Sequence, residues 1–151
     1  MKKVLLINPS ARRDEIKPDI DEIIIDYHQT KESVGTEGGD QRHEPNNGLL
    51  SIGAALIKNE YDVKYIDLNA IEIKKFRKTR CYLSDEEIID SVKEYVMKSD
   101  YVLISALTPT INTTFFIAEE VKKIKANVKI IIGGIFPTLN SDYCVENCSA
   151  I

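Results

Sequence analysis

The sequence predicts an α/β protein in which a doubly wound parallel sheet lies between two layers of helices. Four short apolar segments rich in Val, Ile and Leu alternate with longer segments whose apolar residues recur at helical spacing. Continuous apolar runs are typical of strands covered on both faces, as in parallel sheets. Strands that alternate with helices favour an α/β fold with right-handed crossovers. The length of 151 residues fits one domain.

Each predicted strand is a nearly continuous apolar run, and none contains proline. A further apolar run in "DEIIIDYH", residues Asp21–His28, could add another strand. The four main strands are Lys3–Asn8, Asp62–Asp67, Tyr101–Ser105 and Val128–Ile132.

Helices are predicted between these strands. The segment Leu49–Lys58 is apolar on nearly all sides, so we expect it to be buried and to end at a left-handed Asn59. The next helix begins at Ser84, because Glu87 three residues later completes a capping box. Two more helices are predicted over residues 112–125 and 141–147.

Two segments depart from regular α/β spacing. Residues 9–47 form an unusually long link that is polar and contains glycines, so we expect a mobile loop or insertion. Ala150-Ile151 looks like the start of a fifth strand, so we expect residues 1–151 to be a fragment of a longer protein. The exposed edge of the fourth strand would then favour self-association.

Composition excludes several classes of protein. The net charge of −4 argues against a nucleic-acid partner, which requires a basic surface. The apolar run at the amino terminus is too short to cross a membrane, and we expect no membrane association. The chain has only three cysteines, and an odd number cannot all pair, so we expect no disulfide framework. This favours a reducing, cytoplasmic location.

The carboxyl ends of the predicted strands indicate a ligand site, since ligands of open parallel sheets bind there. Small residues, hydroxyls and prolines follow the first, third and fourth strands. Gly133 and Gly134 would let a flat ligand approach the main chain closely. The alternative is that the glycines only form a turn and that threonines such as Thr110 and Thr138 only cap helices.

Familiar phosphate-binding and catalytic motifs are missing from these ends. No G-x-G-x-x-G follows the first strand, and G-x-x-x-x-G-K-[ST] does not occur. Asn8 and Ser105 occupy the places where a receiver-type phosphorylation site would have acidic residues. No set of side chains indicates a catalytic centre, so we expect a bound cofactor to supply any reactivity.

Three short motifs do occur in the chain, in a fixed order. Pro45, Gly48 and Leu49 precede the first helix, "SALTPT" follows the third strand, and G-G-x-x-P-T follows the fourth. In this combination the chain resembles the amino-terminal cobalamin-binding domain of cobalamin-dependent radical S-adenosylmethionine enzymes. The resemblance covers the first strand and residues 45–151.

The resemblance implies a flavodoxin-like (Rossmann-like) topology with strand order 2-1-3-4-5 and a corrin ring across the first, third and fourth strand ends. It also implies a methyltransferase-like parent enzyme, whose downstream radical domain would hold S-adenosylmethionine and a 4Fe-4S cluster. The expected cofactor-binding residues are Asn8, Ser10, Gly48, Ser105, Thr108, Thr110, Gly133, Gly134, Phe136, Pro137 and Thr138.

The chain also departs from the family pattern. Phe136 stands where the family often has His. Cys144 and Cys148 have C-x3-C spacing, but Ile151 replaces the third cysteine, so we expect no metal role for them. Some cobalamin domains coordinate cobalt through D-x-H-x-x-G.

Asp26 and His28 match the start of the cobalt-binding motif D-x-H-x-x-G, but Lys31 stands where its glycine should be. We therefore predict that His28 does not bind cobalt and that no residue of this chain is a metal ligand. Two other functions remain open. The domain could be a stand-alone flavodoxin-like module for a small ligand, or the nucleotide-sugar-binding half of a glycosyltransferase.

Overall fold

The computed structural model describes residues 1–10 and 46–151. Its strands form one parallel sheet in the order β2-β1-β3-β4, which confirms the predicted 2-1-3-4 arrangement. Three strands have the predicted bounds. The fourth begins one residue later than predicted, because pairing with β3 starts where Lys129 aligns with Tyr101. The strands are β1 (Lys3–Asn8), β2 (Asp62–Asp67), β3 (Tyr101–Ser105) and β4 (Lys129–Gly133).

Helices connect successive strands. The capping box of Ser84 and Glu87 opens the third helix, as predicted. The second and fifth helices were not predicted, and a short 3-10 turn at Thr108–Thr110 follows β3. The helices are α1 (Asn47–Lys58), α2 (Leu68–Thr79), α3 (Asp85–Lys98), α4 (Ile111–Ile124), α5 (Ile135–Leu139) and α6 (Ser141–Asn147).

One face of the sheet is covered by α1. Leu49 packs there with Val4 and Leu6 of β1. Gly53 allows the close approach, because a β-carbon at this position would lie 3.1 Å from the Cδ1 atom of Leu6. The expectation that α1 is buried is wrong: its outward side is open, and Ile57 is 62% exposed.

The opposite face carries the larger core. Inward residues of β1 and β3 pack there against α3, α4 and α6. Burial of each aliphatic side chain contributes about 1.5–3 kcal/mol, so this layer holds the sheet to its helices. Its fully buried members include Leu5, Ile7, Val102, Ile104, Val92, Val96, Ile117 and Val121.

The structure corrects the carboxyl end of the predicted long link. Asn46 caps α1 and Asn47 is its first residue, so the predicted loop extends too far at its carboxyl end. The predicted mobility of the rest, and the possible strand at Asp21–His28, lie outside the described residues. The left-handed residue after α1 is Glu60 (φ 62°) and not Asn59.

Candidate functional site

Side chains at the carboxyl edge link the ends of three strands. Asn8 at the end of β1 donates its Nδ2 proton to Oδ1 of Asp67 at the end of β2, at 3.1 Å. Asn46 donates from Nδ2 to Oδ1 of Asn8 (3.1 Å) and to Oγ of Ser105 at the end of β3 (3.0 Å). We call Asp67, Asn8, Asn46 and Ser105 the carboxyl-edge relay.

Two members of this relay, Asp67 and Asn46, also bond groups with fixed hydrogen-bonding roles. Asp67 accepts the hydroxyl proton of Tyr65 at 2.7 Å and the backbone N–H of Ala70 at 3.1 Å, which caps α2. Burial, reinforced by the bond to Asp67, raises the pKa of Tyr65 far above its ordinary value, so the phenol stays a donor. Oδ1 of Asn46 accepts the backbone N–H of Leu49 at 3.1 Å and caps α1.

The two adjacent glycines after β4 have different roles. A β-carbon on Gly133 would have no atom within 4 Å among the described residues, so the main chain there is open to a ligand. Gly134 has φ 116°, and a β-carbon on it would lie 2.6 Å from the carbonyl oxygen of Ala106. Gly134 therefore serves the backbone contact between β3 and β4, whereas Gly133 provides free space.

Two of the expected threonines use their hydroxyls locally. Thr110 accepts the N–H of Leu107 at 2.9 Å within the 3-10 turn. Thr138 donates to the carbonyl of Gly134 at 2.8 Å. Thr108 is exposed at the start of the turn and remains available to a ligand. Both hydroxyls therefore bond backbone groups of their own turns, and neither caps an adjacent α-helix. Their contact with a ligand stays a prediction.

Two buried hydroxyls have no hydrogen-bond partner among the described residues. Oγ of Ser10 follows β1, and the Ser10 residue is only 1% exposed. Oγ1 of Thr113 lies in the first turn of α4 and is fully buried. Buried polar groups are normally satisfied, so an unpaired hydroxyl needs an explanation such as a bound ligand. Ser10 is among the predicted site residues, and Thr113 is not.

The remaining expected residues lie in the short helix after β4 and in the first turn of α1. Phe136 is half-buried and packs edge-to-face on Tyr143, with ring centroids 5.8 Å apart. Pro137 is half-buried in α5, the short helix that follows the glycines. Gly48 lies in the first turn of α1, where a β-carbon would be 3.3 Å from Oδ1 of Asn46. Gly48 thus leaves room for the Asn46 side chain that caps α1.

Sequence reasoning missed three members of this edge: Tyr65, Asp67 and Asn46. The apolar pattern marks Asp67 only as a strand end and places Asn46 within the long link. The signal that could have found both is helix capping, because Asp and Asn are favoured immediately before a helix.

Metal-binding side chains do not cluster in the described ranges, where no group of three or more His, Cys, Asp or Glu could hold an ion. Cys144 and Cys148 are buried, and burial raises the pKa of both thiols; Cys81 is exposed. His28 lies outside the described residues, so its predicted lack of a cobalt bond stays a prediction. Within the same ranges, no helix has the length and apolar character needed to span a membrane.

A parallel sheet in the order 2-1-3-4, with small and polar residues at its carboxyl edge, defines a flavodoxin-like ligand-binding domain. The family model "B12 binding domain" matches residues 41–151, which is more than half of the chain. The chain therefore belongs to the B12-binding domain family, and this membership supports cobalamin as its ligand. No curated protein and no solved structure gives a significant match.

The residues at the carboxyl edge fit cobalamin, which combines a flat corrin ring, peripheral amide groups and a nucleotide tail. The open main chain at Gly133 suits close approach of a flat group. The buried Ser10 hydroxyl lacks a partner among the described residues and could bond an amide or the tail. The half-buried Ser105 hydroxyl lies at the same edge, one strand away from each.

Proposed function

We propose that this chain is the cobalamin-binding domain of a radical S-adenosylmethionine enzyme with a methyltransferase-like role. It holds the corrin at the carboxyl ends of β1, β3 and β4. The observation that carries the proposal is the coincidence of the family match with an open, polar strand edge at Gly133 and Ser105. When bound, the cofactor would supply a cobalt centre for methyl-group transfer.

The chain's own residues would bind and orient the cofactor. Gly133 lets the ring approach the main chain, and Thr108 offers an exposed hydroxyl beside it. Ser10 and Ser105 provide hydroxyls from neighbouring strands. Gly134 and Thr138 keep the turn after β4 in shape, and Phe136 of the following short helix packs on Tyr143.

A titration of the purified chain with hydroxocobalamin tests the cofactor assignment. We expect a saturable change in the visible spectrum and retention of the cofactor in equilibrium dialysis. The G133V variant should bind at least about tenfold more weakly, because its side chain fills the open space, while its urea unfolding midpoint stays near that of the parent.

The matched control is N127V, since Asn127 is exposed just before β4, at the opposite end of that strand. It should bind as the parent does. No binding by the parent chain would overturn the proposal and favour a domain for another small ligand, such as a nucleotide sugar. Equal loss in both valine variants would place the site elsewhere.

The radical-enzyme context needs a separate test on the full-length gene product. We expect a C-x3-C-x2-C motif downstream of Ile151, and a 4Fe-4S signal in the electron paramagnetic resonance spectrum of the reduced protein. S-adenosylmethionine would bind at that cluster, and the protein would act in the cytoplasm. Absence of the motif and of the cluster would reject the radical context and leave cobalamin binding intact.

We also propose that the chain self-associates through β4. In the described sheet β4 pairs only with β3, and its Ile131 is 51% exposed. An apolar edge strand invites pairing with a second chain. Sedimentation should show a concentration-dependent dimer that weakens in I131K, while L139K, at another exposed apolar position, should behave as the parent. A monomer at every concentration would contradict this.

A further inference from the structure

The carboxyl-edge relay has a direction that two groups with fixed hydrogen-bonding roles determine. The carboxylate of Asp67 can only accept, so the amide of Asn8 must point its Nδ2 toward Asp67 and its Oδ1 toward Asn46. All these bonds lie in the half-buried part of the strand edge.

The orientation of Asn46 is fixed independently. Its Oδ1 accepts the backbone N–H of Leu49, which can only donate. Its Nδ2 therefore faces Asn8 and Ser105 and donates to both. Two unambiguous groups, the Asp67 carboxylate and the Leu49 N–H, thus impose the same direction on the relay.

The consequence falls on the hydroxyl of Ser105. A hydroxyl has one proton and two lone pairs, and one lone pair of Oγ is occupied by the Asn46 amide. Among the described residues no acceptor receives the Ser105 proton. That proton is therefore available to whatever occupies the carboxyl edge.

We propose that Asn46 is a positioning residue that holds Ser105 as a hydrogen-bond donor, so that the site selects a ligand atom that accepts and carries no proton of its own. This inference rests on the proposed function for the identity of the ligand, cobalamin. Asn46 does not need to touch the ligand, because it acts through the hydroxyl of Ser105.

The substitution N46D gives the sharpest test. Asp caps a helix as well as Asn does, so α1 keeps its first turn. At neutral pH, however, the carboxylate only accepts, and the Ser105 hydroxyl would turn its proton toward residue 46. Affinity for hydroxocobalamin should fall roughly tenfold in N46D and in S105A alike, and the double variant should be no weaker than S105A.

A pH series separates this effect from a structural one. As the pH falls from 7 to 3, through the ordinary pKa of an aspartate of about 3.9, protonation restores a donor at residue 46, and the affinity of N46D should recover in part toward that of the parent. N47D is the matched control: Asn47 is exposed in the same helix turn and adds the same charge outside the relay. N47D should bind within twofold of the parent at every pH.

A measurement without ligand keeps this inference distinct from the proposed function. In N46D the Ser105 hydroxyl would donate to the buried side of a carboxylate, so S105A should lower the urea unfolding midpoint more in N46D than in the parent. Equal shifts would overturn the assigned direction of the relay. Normal affinity in N46D, or additive losses in the double variant, would overturn the role of Asn46. Failure of the parent to bind cobalamin would reject only the proposed ligand.

Discussion

The α-carbon of Gly134 faces the backbone of Ala106 so closely that a β-carbon would lie 2.6 Å from the Ala106 carbonyl oxygen. The main chain around this point is paired on both sides: the N–H of Ala106 donates to the Gly133 carbonyl at 2.7 Å, and the N–H of Phe136 donates to the Ala106 carbonyl at 3.3 Å. The contact continues the pairing of β3 and β4 beyond the last residues of the strands.

G134A should therefore destabilise the fold. Its φ of 116° and ψ of −173° lie in a region that only glycine adopts readily, and the added methyl group collides with backbone. We expect a loss of at least about 2 kcal/mol in the free energy of unfolding, measured with urea. G133A is the neighbouring control and should lie within about 0.5 kcal/mol of the parent. Similar losses in both variants would contradict the separate roles of the two glycines.

Removing the hydroxyl of Tyr65 should weaken the anchor of the carboxyl-edge relay. Y65F deletes the donor that lies 2.7 Å from Oδ2 of Asp67 and should cost about 1–2 kcal/mol in urea unfolding. Y143F removes a hydroxyl from an exposed ring and should stay within about 0.5 kcal/mol of the parent. An unchanged midpoint in Y65F would mean that water replaces the Tyr65 hydroxyl at Asp67 without loss of stability.

The ion pair between Glu87 and Lys75 should make stability depend on pH at the acidic end. The Lys75 ammonium, together with the backbone N–H of Ser84, lowers the pKa of Glu87 below its ordinary value of 4.5. A carboxylate with a lowered pKa stabilises the fold above the unfolded-state pKa, and this contribution disappears as the pH falls through the folded-state value. Unfolding midpoints between pH 7 and pH 3 should show the loss.

The variant E87Q isolates this contribution, because Gln at the same position can still complete the capping box with Ser84. It should be less stable than the parent at pH 7, and the difference should shrink as the pH falls below 4.5. E86Q, one residue earlier in the same turn of α3, removes the same charge without touching the capping box and is the charge-matched control at pH 7. A difference that stays constant with pH would assign the effect to capping alone.

The larger core should be sensitive to loss of volume. L5A removes a side chain with 0% exposure from the centre of the sheet and should cost about 2–5 kcal/mol. L139A makes the same change at a position that is 75% exposed and should cost less than about 0.5 kcal/mol. Comparable losses would mean that α5 is packed more tightly than its exposure indicates.

The sequence predicted the sheet well because buried parallel strands are continuous apolar runs. In Lys3–Asn8 and Tyr101–Ser105 the apolar residues are consecutive, so no helical spacing competes with the strand prediction. The predicted bounds of both strands agree with the structure. The apolar side chain of Val128 predicts that this residue belongs to β4. It is buried beneath the sheet, yet it precedes the first paired residue, so apolarity alone misplaces that boundary.

The missed elements have weaker local patterns. In α2 only Leu68 is fully buried, so the helix has little apolar periodicity, and its main signal is the cap at Asp67. The carboxyl-edge relay could not be predicted from the sequence for another reason. Asn46 bonds residues 38 and 59 positions away, and only the order of strands brings Asn8 and Ser105 within reach of one side chain.

The unequal burial of the cysteines has a practical consequence. Cys144 and Cys148 are enclosed in the core and their thiols are held in the unreactive protonated form, whereas Cys81 lies exposed in the connection between α2 and α3. A maleimide dye added to the folded chain would therefore attach at one position. The native sequence thus offers a single fluorescent handle, and no cysteine has to be engineered in or out before ligand binding is followed by fluorescence.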